Sequence, residues 1–127
     1  MTQVHTTPAA PSTSATRRAA RLAAVQTLYQ HEYGQELNVG LHLDEGHVVQ
    51  APDLELLQRI VQVVGARRID IDTMLSGALD PDWPIARLEV VLRAILRAGV
   101  AEILENPSTP ISFLITDYVD VAHAFFA

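Results

Sequence analysis

The sequence predicts an all-α fold, a compact helical bundle. Apolar residues recur every three or four positions through most of its length. No stretch alternates apolar with polar residues, and no tight hairpin turn joins two such stretches. Proline opens three of the periodic segments, at Pro52, Pro84 and Pro110. Its fixed φ and missing N–H are tolerated at the start of a helix but not inside one. The chain has 127 residues, 49% of them hydrophobic, which suits one domain with a real core. Four or five long helices are expected.

The elements follow in order. Residues 1–15, MTQVHTTPAAPSTSA, have no apolar period and are expected to form a flexible tail. The single domain is expected over 16–127. Ser12, Thr13 and Ser14 offer N-caps for a first helix carrying Leu22, Val25, Leu28 and Tyr29, which ends near Gly34. Residues 35–50 contain Gly40 and Gly46 and read as a loop. Pro52 and Asp53 then open a long helix with a weak point at Gly65, ending near Gly77. Its stripe is Leu54, Leu57, Val61 and Val64, continued by Ile71, Leu75 and Leu79. DPDWP is a turn. Pro84 restarts a helix with Leu88, Val91, Leu92, Ile95 and Leu96 buried, and Arg87, Arg93 and Arg97 off that face. NPSTP breaks the chain again. Pro110 opens a last helix with Ile111, Ile115, Tyr118, Ala122 and Phe125 on one side.

Several chemistries are missing. There is no cysteine, hence no disulfide and no thiolate metal site. That agrees with a reducing cytoplasm. No apolar run is long enough to span a membrane, so we expect a soluble cytoplasmic protein with no membrane partner. No nucleophile elbow, phosphate loop or dinucleotide fingerprint occurs. His42, Asp44, Glu45 and His47 are metal-ligand types, but they fall in a loop with no spacing to aim them. Asp80 and Asp82 flank Pro81, where aspartate bonds its own turn. His123 sits among Ala and Phe and reads as a partly buried packing residue. We expect no catalytic residues, no metal and no cofactor, so not an enzyme.

The charge is uneven. Net charge is −6, with nine arginines and no lysine. No acid occurs before Glu32, so the first 31 residues carry +3 from Arg17, Arg18 and Arg21. Six arginines against fifteen acids leave −9 on the remainder. A helix N-terminus already carries partial positive charge, and an arginine there costs up to roughly 1 kcal/mol. A bound phosphate relieves that conflict, pairing with guanidinium and free N–H groups together. Arg17 and Arg21 share a face, and Arg18 is in line with Val25 and Tyr29, so the cluster lies at the rim of the core. Single-stranded RNA suits such a site. Simple solubility is the other reading of the same charges.

RRAARLAAVQTLYQ, then RLEVVLRAILRAGVAEIL, then a Pro110-opened helix reading ITDYVDVAHAFF resemble, in order and spacing, the NusB family of bacterial transcription antitermination factors. The resemblance covers nearly all of the chain from Thr16. It implies an all-helical domain of two small sub-bundles, without catalysis. It implies binding of boxA-type single-stranded RNA from ribosomal RNA leaders, together with the ribosomal protein NusE, in a transcription elongation complex. By position the family's arginine-rich RNA motif falls on Arg17, Arg18 and Arg21, and its NusE-facing residues on Tyr29, Leu92 and Arg93. Some members carry an acid where this chain has Leu92, so no charge pair is carried over there.

Three departures set expectations. Leu56 and Leu57 stand where many members have aromatics on the RNA side, which forfeits base stacking. Ala101 replaces a tyrosine and is expected to leave a hole. The sequence stops at Phe125, Phe126 and Ala127, so the family's last helix is expected to be missing, with self-association through the exposed C-terminal face. Two other readings share the scaffold. One is a helical protein-interaction module whose RNA binding has decayed. The other is a NusB-like RNA-binding domain related to ribosomal RNA methyltransferases, which also need a large cofactor-binding domain.

Overall fold

A computed structural model describes residues 12–32 and 51–126. Its elements are α1 (Ser14–Glu32), α2 (Leu54–Ala66), α3 (Arg68–Ala78), a single 3-10 turn (Ile85–Arg87), α4 (Val90–Glu105) and α5 (Ile111–Phe126). No strand occurs among the described residues. The loop expected over 35–50 lies outside them.

Helix α1 begins at Ser14, two residues before the expected domain start at Thr16. Thr13 is the reason. Its hydroxyl accepts from the Thr16 N–H at 3.1 Å, and the Thr13 N–H donates back to the Thr16 hydroxyl at 2.8 Å. That reciprocal pair satisfies two donors at the helix start. Asp53 caps α2 in turn, its carboxylate accepting from the Leu56 N–H at 3.1 Å. The Asp53 N–H donates to the Thr16 carbonyl at 3.0 Å and the Ser12 hydroxyl to the Asp53 carboxylate at 2.8 Å, so the starts of α1 and α2 are tied together.

Helix α1 is the hub, packing on α2, α4 and α5. Its inner face is mostly alanine: Ala20, Ala23 and Ala24 are fully buried beside Val25. Side chains this small let neighbouring helices approach closely, and interhelix distance follows side-chain size. Leu22 and Leu28 only flank this core. The first core also takes Leu57 and Ile60 from α2, Ile95 from α4, and Leu114, Tyr118 and Val121 from α5. A second, smaller core gathers Val64, Ile71, Leu75 and Ala101, with Leu79, Ile85 and Leu104 packed around them. Two small bundles thus share α2 and α4.

The long second helix is split. Arg67 leaves helical geometry at φ −121°, ψ 26°, two residues after Gly65, and Ile60 rather than Val61 is the fully buried residue between Leu57 and Val64. Leu54 is exposed. Pro84 opens only the 3-10 turn. The extended backbone of Leu88 follows it and inserts that side chain into the core, so α4 starts later, at Val90. Helix α5 is rotated from expectation. Leu114, Tyr118 and Val121 point inward, while Ile111 and Ile115 are exposed. Arg97, expected off the buried face of α4, is buried. Asp80 does bond its own turn, accepting from the Asp82 N–H at 2.9 Å. His123 is exposed instead of partly buried.

Candidate nucleic-acid interface

The three N-terminal arginines part company. Arg18 stands at the surface, its side chain 55% exposed and its Nε 3.7 Å from an Asp117 carboxylate oxygen. Arg17 is half-buried and donates to the Ser12 carbonyl and hydroxyl, both at 3.2 Å. Arg21 is inside. Its Nε and Nη2 grip both oxygens of Glu102 at 2.6 and 2.9 Å, and its Nη1 reaches Asp117 at 2.5 Å. Tyr118 adds its hydroxyl to Glu102 at 2.7 Å. Arg17 and Arg21 do lie on one face of α1, but the core begins between them. Arg21 therefore falls within the packed region and Arg17 beyond it. Arg21, expected at the RNA site with Arg17 and Arg18, has its guanidinium committed to two carboxylates, braces α1 against α4 and α5, and also lines the groove that opens beside it.

Charge in this knot is balanced. Arg18 and Arg21 face Glu102 and Asp117, so neither carboxylate is left alone in a region of low dielectric. Burial pushes the Tyr118 hydroxyl well above its usual pKa, and the neighbouring Glu102 charge adds to it. Tyr118 is thus a neutral donor.

A groove of about 660 Å³ opens beside the knot. Arg17, Arg18 and Arg21 of α1 and Arg59 of α2 line it together with the carboxylates of Glu102, Glu105 and Asp117; Leu56, Phe113 and the Asn106–Pro110 connection complete it. The first turn of α1 contains no acid, so the positive end of the helix dipole adds to the rim. Arg59 meets Glu55 at 2.8 Å and Glu105 at 3.9 Å, but its side chain is 44% exposed. Exposed pairs of this kind are worth little and exchange readily for another anion. Sequence reasoning missed Arg59 because nothing local marks it. Its place beside the α1 N-terminus comes from the Thr16–Asp53 backbone tie.

The second expected surface lies at the other end of α1. Tyr29 is half-buried, its ring 6.5 Å from that of Phe125. Glu32, one turn on, lies 3.9 Å from Arg93 Nε, and Leu92 beside Arg93 is half-exposed. Tyr29, Leu92 and Arg93 therefore surround one end of the α1–α4 pair. Twelve residues of helix separate Tyr29 from Arg17, roughly 18 Å.

The metal-ligand types at 42–47 lie outside the described residues. Among the described residues no cluster of His, Asp or Glu could hold a metal ion. No helix there is long and apolar enough to cross a membrane.

Residues 18–127 match the NusB family. The chain belongs to the NusB family. Among its relatives is a protein of Gluconobacter oxydans named transcription antitermination protein NusB, 42% identical over 93% of this chain and 82% of that one. A Rhizobium rhizogenes protein of the same name is 38% identical over 91% of this chain and 79% of its own. One from Agrobacterium fabrum is 40% identical over 87% and 73%. No solved structure matches the chain significantly. The departures from the NusB pattern can now be placed. Leu56 lines the groove but Leu57 is core. Ala101 is fully buried in the second core and also lines the groove, so the space beside it is partly filled and partly open.

Proposed function

We propose that this chain is a cytoplasmic, non-catalytic transcription antitermination factor. It binds boxA-type single-stranded RNA of ribosomal RNA leaders together with NusE, within the transcription elongation complex. One observation carries the reading: Arg17, Arg18 and Arg59, from two helices, converge on a groove at the acid-free start of α1. That convergence favours it over mere solubility, which needs no groove, and over a module with decayed RNA binding. NusE is assigned to the opposite end, around Tyr29, Leu92 and Arg93.

The test is binding of a short boxA-type RNA over a range of salt, with and without NusE. Three guanidinium contacts to a single strand predict that log K falls with log salt at a slope of about −2. Arg17→Ala with Arg18→Ala should take about 1.4 from that slope and leave NusE binding intact. An unchanged slope in that variant would remove these residues from the site. No binding by folded parent, with or without NusE, would leave only the decayed-module reading.

Self-association through α5 belongs to the same proposal. Ile111, Ile115, Val119 and Phe126 lie near one another on the helix and all are exposed, whereas Phe125 turns inward against Tyr29. Sedimentation velocity should show a concentration-dependent increase that Ile115→Glu abolishes. A single monomeric species at every concentration would end this part of the proposal.

A further inference from the structure

Phe113 is 66% exposed, and the packing of the chain gives no account of it. On α5 the inward positions are Leu114, Tyr118 and Val121. The outward apolar stripe is Ile111, Ile115, Val119 and Phe126. At 100° per residue Phe113 falls on neither. It shares a face with Asp117, one turn on, and Asp117 is the carboxylate that meets Arg18 and Arg21. Phe113 thus lines the groove that Arg17, Arg18 and Arg59 also line, with the carboxylates of Glu102, Glu105 and Asp117 among its other walls.

Its base is held firmly. The Phe113 N–H donates to the Pro110 carbonyl at 3.1 Å. The preceding turn is closed by the Thr109 N–H to the Asn106 carbonyl at 3.1 Å and by the Ser108 hydroxyl to the Asn106 side chain at 2.7 Å. An aromatic face beside guanidinium groups, in a trough open to solvent, is the arrangement that holds unpaired bases. The rings stack and the cations take the phosphates.

We propose that Phe113 is the base-stacking platform of this groove, receiving one base of a single strand whose phosphates lie on Arg17, Arg18 and Arg59. The inference rests on the RNA-binding reading above and adds to it a residue in direct contact with a base. Asn106, Ser108 and Thr109 line the same wall and offer amide and hydroxyl groups to the edge of that base.

The experiment uses the full chain and a short single-stranded RNA carrying 2-aminopurine at successive positions. Phe113→Leu should weaken binding about five- to a hundred-fold, while Phe113→Tyr stays close to the parent. The salt slope should be the same in all three, because no charge is removed. At one RNA position the parent should change 2-aminopurine emission and Phe113→Leu should not. Urea midpoints should coincide, since the ring contributes little to packing. Equal affinity and equal emission change in Phe113→Leu would overturn the platform while leaving the RNA reading in place. So would a loss shared by Phe113→Tyr, or a loss confined to NusE binding. Folded parent protein that fails to bind the RNA at any salt, with or without NusE, would overturn both.

Discussion

Arg21→Ala is expected to destabilise the chain by about 3–5 kcal/mol, the loss typical when one partner of a buried ion pair is removed. That is a large part of the roughly 5–15 kcal/mol that holds a domain together. The cost arises at Glu102, which is 5% exposed and would keep only the Tyr118 hydroxyl as donor. Asp117, less buried, would keep the distant Arg18. Arg18→Ala, at an exposed side chain, should cost no more than about 1 kcal/mol. Adding Glu102→Gln to Arg21→Ala should return part of the loss, because the stranded charge disappears. Urea midpoints on the three variants decide it. An Arg21→Ala protein as stable as Arg18→Ala would mean the knot is not structural, which would leave phosphate binding as the role of Arg21. The same arithmetic governs RNA experiments. Replacing all three N-terminal arginines would confound binding with folding, so the informative variant spares Arg21.

The difference between Arg17 and Arg21 shows where sequence reading works and where it stops. Helical period, proline positions and the missing strand pattern specify an all-helical bundle, because each is a local property. The burial of Arg21 is not local: Glu102 and Asp117 lie 81 and 96 residues away. Period analysis treats every arginine as a solvent residue, so it set Arg97 on the outer face as well. The rotation of α5 has a related cause. Ile111, Leu114, Ile115 and Val121 are all apolar, and periodicity cannot choose between two apolar faces on one helix. Packing chose Leu114 and Val121. In α1 the larger Leu22 and Leu28 drew attention, but the alanines between them form the contact. Of the candidate interface, Arg17 and Arg18 were legible as charge without acid. Arg59 and Phe113 were not, because only the crossing of α1, α2 and α5 brings them to one groove.

Arg97→Ala is the second large effect, and it carries a pH signature. Arg97 bridges three helices: its Nε and Nη2 grip Asp72 of α3 at 2.9 and 3.0 Å, and its Nη1 meets Glu32 of α1 at 2.6 Å. Its side chain is 8% exposed, but Asp72 and Glu32 are 31% and 22% exposed, so water can repay part of the loss. We expect about 2–3 kcal/mol, below the Arg21 value for that reason. Burial alone would raise the Glu32 pKa, but the Arg97 hydrogen bond and the charges of Arg68, Arg97 and Arg93 outweigh it and hold the group below its ordinary value. A carboxylate depressed in the folded state binds its proton more readily in the unfolded one. Its stabilisation is complete above the unfolded pKa of about 4.3 and drains away as pH falls through the lower folded value. The parent should therefore lose stability below about pH 5. Arg97→Ala should start lower at neutral pH and lose less on acidification, because Glu32 has surrendered its closest partner. Parallel pH–stability curves for the two proteins would place the acid sensitivity elsewhere. Arg68 still reaches Glu32 at 3.1 Å in the variant, so the slope should shrink without vanishing. Since Glu32 also lies beside Arg93, the variant should weaken binding at the end proposed for NusE and spare the groove proposed for RNA, some 18 Å away along α1. Equal losses at both surfaces would instead show that the bridge holds the whole bundle, not one end of it.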